Sequence, residues 1–174
     1  MPEAWIANVV LGFRDSVKLP PGFGFLTPER EQRFTLGALF SSNMFPGRAP
    51  AGHIVFEILV GGRRHPERLD LDDRTLTRKA LDDVRSILNI VSEPVYARVL
   101  RSGGAIPQLE RNYPALLAWR REFLAARPGL HICGFGWEGI GLNDMMKRAT
   151  RVAEEILSSA GRGEKNAEIK GVYF

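Results

Sequence analysis

The sequence predicts an α+β fold, a largely antiparallel sheet with three main helices. Three observations predict it. Residues 5–13, 23–27, 33–41 and 54–60 are short apolar runs joined by turns, with no helical stretch among them. Strands that follow one another without a crossover pair antiparallel. Three later stretches repeat apolar residues at intervals of three and four, the period of a helix with one buried face. Clusters such as Pro20-Pro21-Gly22, Gly61-Gly62 and Arg127-Pro128-Gly129 punctuate the chain between these elements.

Residues 5–13 form a continuous apolar run rich in β-branched side chains and read as a buried strand. Residues 14–22 are a loop. Residues 23–27 and 33–41 read as strands around the charged turn Glu29-Arg30-Glu31-Gln32. Residues 43–52 hold two prolines and two glycines and are irregular. Residues 54–60 are a further strand, stopped by Gly61-Gly62.

The first helix starts after Asp72-Asp73, which bring N-cap chemistry, and Leu76, Ala80, Leu81, Val84, Ile87 and Leu88 mark its apolar face. Residues 95–100 return as a strand. Asn112 caps the second helix, with Pro114 in its first turn and Leu116, Leu117, Phe123 and Leu124 broadly on one side. Residues 130–133 read as a short strand that runs into a glycine-dense loop. That loop opens onto the third helix, striped by Leu142, Met145, Met146, Ala149, Val152, Ala153, Ile156 and Leu157. Residues 158–170 are rich in glycine and charge and read as a frayed tail, with Val172, Tyr173 and Phe174 as a docking end.

At 174 residues the chain suits one ordinary domain, and its 44% hydrophobic and 25% charged residues are those of a globular protein with a core. No apolar run approaches the ~20 residues of a membrane span, and the N-terminus lacks a secretory pattern; the chain reads as cytoplasmic. The single cysteine, Cys133, excludes an internal disulfide and a cysteine-based metal cluster, and His53, His65 and His131 have no metal spacing. Net charge is +4, but the basic residues are dispersed and no aromatics interleave with them, which argues against nucleic acid. No catalytic triad, carboxylate pair or metal cluster is visible, so the catalytic residues are unknown from sequence.

The glycine-dense loop lets backbone approach a ligand, and the helix that follows offers unpaired N–H groups at its start. Gly134-x-x-Trp137-Glu138-Gly139-Ile140-Gly141-Leu142-x-Asp144, followed by an Ala-containing helix, resembles the C-terminal flavin motif of FAD-dependent protoporphyrinogen and coproporphyrinogen oxidases, members of the flavin amine oxidase superfamily. Gly22-Phe23-Gly24-Phe25-Leu26-Thr27-Pro28 is similar to the family's Gly-Phe-Gly-x-Leu-x-Pro segment. The run from Leu36-Gly37-Ala38-Leu39-Phe40-Ser41-Ser42 through Met44-Phe45-Pro46-Gly47-Arg48-Ala49-Pro50 resembles its most recognisable stretch. Leu59-Val60-Gly61-Gly62 and Ala105-Ile106-Pro107-Gln108 follow in the same order. The likeness covers about residues 4 to 158.

The resemblance implies FAD as cofactor, a porphyrinogen as substrate and oxygen as final acceptor. It implies that residues 1–110 belong to a porphyrinogen-binding domain, 111–158 return to an FAD domain, and 159–174 form a tail. Gly139, Ile140, Gly141 and Leu142 would contact the isoalloxazine and ribityl end of the flavin. Leu26, Leu39 and Leu59 would flank the tetrapyrrole. Asn143 would cap the last helix and Asp144 would stabilise its start. Ser102 stands where relatives carry Trp, and Leu109 where they carry Tyr, which bears on substrate preference.

Proteins of this family open with a Rossmann-type unit carrying Gly-x-Gly-x-x-Gly. No such fingerprint is read here, and Gly22-Phe23-Gly24-Phe25-Leu26-Thr27-Pro28 fails it, so the chain reads as a C-terminal part of such an enzyme. Peripheral contact with the inner membrane and a homo-oligomer are left open. The alternatives are another flavin amine oxidase-like enzyme and a non-catalytic α+β binding module.

Overall fold

The structure, a computed structural model, describes residues 1–101, 105–137 and 139–160. The chain divides into two compact units, one of Glu3–Ala105 and one built from Met1–Pro2 with the chain from Ile106 onward.

The first unit holds a five-stranded antiparallel sheet. A two-residue strand, β1 (Glu3–Ala4), precedes β2 (Ile6–Arg14), β3 (Gly24–Leu26), β4 (Gly37–Leu39), β5 (His53–Gly61) and β6 (Tyr96–Arg101). The order across the sheet is β3-β4-β5-β2-β6. β2 and β5 pair over their whole length, from Ile6 opposite Gly61 to Arg14 opposite His53.

Side chains alternate across a strand, so this register assigns every residue a face. Ala7, Val9, Leu11 and Phe13 share one face with Ala38, Phe56, Ile58 and Val60, and all eight are buried. Helix α2 (Asp73–Leu88) closes this core with buried Leu76, Ala80, Leu81 and Val84. The rings of Phe13 and Phe56 stack at 5.5 Å, and Phe40 meets Phe56 edge-on at 6.5 Å. Burying one such side chain contributes about 1.5–3 kcal/mol, so this face holds the unit together.

Asp72 caps α2 as the sequence predicts, its Oδ1 accepting from the Thr75 N–H at 2.9 Å. The predicted strand over 33–41 is shorter than expected. Thr35 turns its N–H and hydroxyl to Asp83 of α2, and the chain after Leu39 folds into α1 (Ser41–Met44).

The second unit carries β7 (Ile106–Pro107), α3 (Tyr113–Ala125) and α4 (Leu142–Ala160). Asn112 stands at the N-cap of α3, but its side chain makes no capping bond. No residue of α3 is buried, so its expected apolar side is only half-covered. Residues 130–133 form no strand; a strand needs a ladder, and no strand among the described residues pairs with them. Asn143 is the second residue of α4 rather than its cap. Ser102, Gly103, Gly104, Glu138 and the tail beyond residue 160 lie outside the described residues.

Candidate functional site

The sheet has a second face that α2 does not cover. Register places Leu26, Gly37, Leu59, Asn8 and Leu100 in one row across the five strands. Gly24, Leu39, Glu57, Val10 and Arg98 form the next row, followed by Val55, Gly12 and Tyr96. The three leucines named by the sequence thus come together on one face from β3, β4 and β5. Leu26 is 77% exposed and Leu39 and Leu59 are half-buried, so none of them is a core leucine.

Glycines keep this face low. A Cβ on Gly24 would collide with the Ala38 carbonyl, and one on Gly37 with the Phe25 carbonyl. Both positions also have positive φ, at 143° and 152°. No side chain can stand at either position, so both must be glycine for β3 and β4 to approach this closely.

One carboxylate interrupts the apolar surface. Glu57 has Leu39 and Val10 as cross-strand neighbours and Val55 and Leu59 two residues away on the same face. Its Oε2 accepts from Asn8 Nδ2 at 2.7 Å and its Oε1 from Ser41 Oγ at 2.8 Å. Asn8 Oδ1 is buried and has no partner. Sequence reasoning missed this trio. Its signal was there: one charged and one amide residue at the outward positions of two otherwise apolar strands.

A groove of about 590 Å³ opens at the Tyr96 end of this face, within the usual range for ligand pockets. Val10, Gly12, Val55 and Tyr96 line it, with Arg48 and His53 supplying polar groups. Arg48 is steadied over the Phe45 ring at 5.0 Å, and His53 Nδ1 lies 3.1 Å from the Ala51 carbonyl. A larger groove of about 940 Å³ runs along α2 and β6, but Arg74, Arg78, Arg85, Asp73, Asp82 and Glu93 stud its walls. That mixture of charge, partly neutralised by pairs such as Arg85–Glu93 at 2.6 Å, reads as a solvated cleft.

In the second unit, residues 135–137 form a turn ahead of α4. The Trp137 N–H donates to the Gly134 carbonyl at 3.2 Å and the Gly136 N–H to the Gly139 carbonyl at 2.9 Å. Tyr113 Oη donates to the Trp137 carbonyl at 2.6 Å, and the Arg120 guanidinium lies over the Trp137 ring at 5.1 Å. Gly139 and Gly141 are half-buried, while Ile140 and Leu142 are exposed. The Gly141 carbonyl accepts from Met145, starting α4.

Asp144 stands in the first turn of α4, where the helix dipole favours it. A Cβ on Gly139 or Gly141 would come within 2.8 or 2.9 Å of its Oδ2. A carboxylate already beside the helix start disfavours a phosphate there and suits a neutral donor such as a hydroxyl or a ring N–H. That fits the ring or ribityl end of a flavin better than its pyrophosphate.

One spacing departs from the sequence reading. Gly134-Phe135-Gly136-Trp137-Glu138-Gly139 does have the letters of Gly-x-Gly-x-x-Gly. No strand precedes it, and the helix begins three residues after the last glycine, so the dinucleotide-cradling context is missing. Among the described residues no group of three or more His, Cys, Asp or Glu is placed to hold a metal, and no helix is long and apolar enough to cross a membrane.

Comparison with known proteins matches most of the chain each time. The family pattern for flavin containing amine oxidoreductases matches residues 6–157. A mitochondrial protoporphyrinogen oxidase of Nicotiana tabacum is 32% identical over 149 residues, covering 83% of this chain and 30% of that protein. A coproporphyrinogen III oxidase of Bacillus subtilis is 28% identical over 161 residues, covering 91% of this chain and 34% of that protein. The chain therefore spans about a third of the length of these relatives. Among solved structures, reduced UDP-galactopyranose mutase matches 92% of this chain and 35% of its own, with a TM-score of 0.71 at 17% identity, a likeness of fold. A protein from Exiguobacterium sp. 255-15 matches 90% of this chain and 35% of its own at a TM-score of 0.74 and 23% identity.

Proposed function

The chain belongs to the flavin containing amine oxidoreductase family, and from that membership we propose that it supplies the substrate-facing sheet and part of the flavin site of an oxygen-dependent protoporphyrinogen or coproporphyrinogen oxidase. Such an enzyme oxidises a porphyrinogen to a porphyrin in tetrapyrrole and haem biosynthesis. Its relatives carry those names. Bound FAD would supply the hydride acceptor, and oxygen would regenerate it. A cytoplasmic place, with peripheral contact to the inner membrane, belongs to the same reading.

The convergence of Leu26, Leu39 and Leu59 on one open face carries the proposal. The apolar rows give a macrocycle a floor. Arg48 and His53 in the groove at the Tyr96 end suit its propionate groups. Gly139–Leu142 would hold the flavin through backbone N–H groups, with Asp144 fixing the loop.

Titration of the purified chain with coproporphyrin tests this. Binding should shift and sharpen the porphyrin absorption band, and Leu39→Asp should abolish the shift. A chain that binds no porphyrin, or binds it equally after Leu39→Asp, overturns the assignment of this face.

A further inference from the structure

We propose that Glu57, held by Asn8 and Ser41, is the acceptor for the pyrrole N–H groups of the reduced macrocycle, and that it makes this face prefer porphyrinogen over porphyrin. The inference rests on the tetrapyrrole reading of the face and adds to it a residue and a discrimination.

The position of Glu57 comes first. It is ringed on the open face by Leu39, Val10, Val55 and Leu59. From strand spacing, those four neighbours mark a patch of roughly 10 by 13 Å, the footprint of a tetrapyrrole ring. The carboxylate sits at its middle, where the centre of a covering ring would lie.

Its bonding state comes second. Two neutral donors, the Asn8 amide and the Ser41 hydroxyl, are its hydrogen-bond partners, and no salt bridge to it is found among the described residues. An ionised carboxylate has about four acceptor sites, so about two remain for a ligand. An apolar ligand laid over this patch would strip water from a charge with no counter-ion, which is costly unless the ligand brings donors of its own. Asn8 Oδ1 is buried and has no partner, so it is not open to a ligand and Glu57 is the acceptor that faces one. Turning that amide over would set its carbonyl against the carboxylate, so the orientation follows from Glu57. A carboxylate centre with apolar surroundings calls for a ring that is apolar outside and carries N–H groups inside.

The reduced macrocycle meets that demand and the oxidised one does not. In a porphyrinogen the four pyrroles are joined by sp³ carbons, so they tilt and can turn their N–H groups to one side. A porphyrin is conjugated and flat, with two N–H groups locked in its plane and facing inward. Both share the same propionates and a similar outline, so the rest of the face treats them alike. Glu57 is the group placed to tell them apart, favouring entry of substrate and departure of product.

The test compares coproporphyrin with its chemically reduced porphyrinogen, both binding to this chain without oxygen, the porphyrinogen being measured by displacement of the porphyrin. The wild-type chain should bind the porphyrinogen on the order of ten-fold more tightly, as expected for hydrogen bonds to a charged acceptor. Glu57→Leu should remove the preference, weakening porphyrinogen binding and tightening porphyrin binding because the cost of covering the carboxylate is lifted, and Glu57→Gln should restore part of the preference. Equal wild-type affinities, or a preference that survives in Glu57→Leu, overturn this inference and leave the tetrapyrrole face standing. A wild-type chain that binds neither molecule overturns the face itself, and this inference with it.

Discussion

Asp83 on α2 accepts two hydrogen bonds from Thr35 through one oxygen, from the N–H at 2.9 Å and from the hydroxyl at 2.8 Å. Thr35 is buried, and Arg33 reaches the other Asp83 oxygen at 3.4 Å. The chain feeding β4 is thereby tied to the helix that closes the core. β4 carries Leu39, so the tie also fixes one strand of the open face.

Asp83→Ala should therefore destabilise the chain by about 1–3 kcal/mol, the cost of leaving buried donors without an acceptor. Urea unfolding gives the number. Thr35→Val should cost a similar amount, and the two together less than their sum, because they remove the same bonds. Fully additive losses would show that the pair is not coupled.

Acid should weaken the start of α2. Hydrogen bonds from the Thr75 N–H and hydroxyl hold the Asp72 carboxyl below its ordinary value of 3.8. Arg64, hydrogen-bonded to Glu29, lowers that carboxyl too. A pKa lower in the folded state gives stability that is present above the unfolded value and is lost as pH falls through the folded one. Thermal midpoints should hold steady from neutral pH to about pH 5 for these groups, then fall below about pH 4. Asp72→Asn keeps a capping oxygen and should flatten part of that decline, whereas Asp72→Ala should lower the midpoint by about a few degrees at neutral pH. An unchanged acid slope in Asp72→Asn counts against the assignment.

The face residues separate from the core by a paired substitution. Leu39→Ala or Leu59→Ala should weaken porphyrin binding about ten-fold and cost little stability, because both side chains are half-exposed. Ile58→Ala, one residue away on the buried face, should cost about 2–5 kcal/mol. Loss of stability without loss of binding in the leucine variants would return them to packing.

The antiparallel sheet and the apolar face of α2 were legible because period and capping are local: Asp72, Leu76, Ala80, Leu81 and Val84 announce themselves along the chain. The site leucines were named by resemblance, and only register shows that Leu26, Leu39 and Leu59 lie on one face. Asn8 and Glu57 stood out only as polar residues within apolar strands, and their pairing with each other and with Ser41 stayed hidden, since hydrogen bonds between residues 49 and 16 positions apart leave no local pattern. Residues 130–133 misled in the opposite way, having the composition of a strand but no strand beside them.

The proposed flavin loop can be probed at Gly141. In the enzyme complete with its flavin, Gly141→Val places a branched side chain against the Asp144 carboxylate and in the path of the ligand. Flavin occupancy should fall about ten-fold at a fixed flavin concentration, read from the absorbance ratio of protein to flavin. Gly141→Ala, with one methyl group near a side-chain tip that can rotate, should fall less. Full occupancy and turnover in Gly141→Val would move the flavin contact elsewhere.

The last prediction concerns this polypeptide by itself. FAD is long, and Gly139–Leu142 could touch only one end of it. A partial site must still offset the freedom lost on binding, roughly 4–15 kcal/mol. The purified chain should therefore be colourless between 350 and 500 nm and should not oxidise porphyrinogen. Its helices carry a second consequence. Leu142, Met146, Ile156 and Leu157 of α4 are 44–70% exposed, and Trp119 of α3 is 48% exposed. Exposed apolar side chains in such number favour association, which removes them from water. Light scattering should give a mass above the 19.4 kDa monomer that rises with concentration. Met146→Lys together with Leu157→Lys should return the chain to a monomer without lowering its melting point. A stoichiometric flavin spectrum in the isolated chain would refute the partial-site argument, and a clean monomer at all concentrations would refute the association.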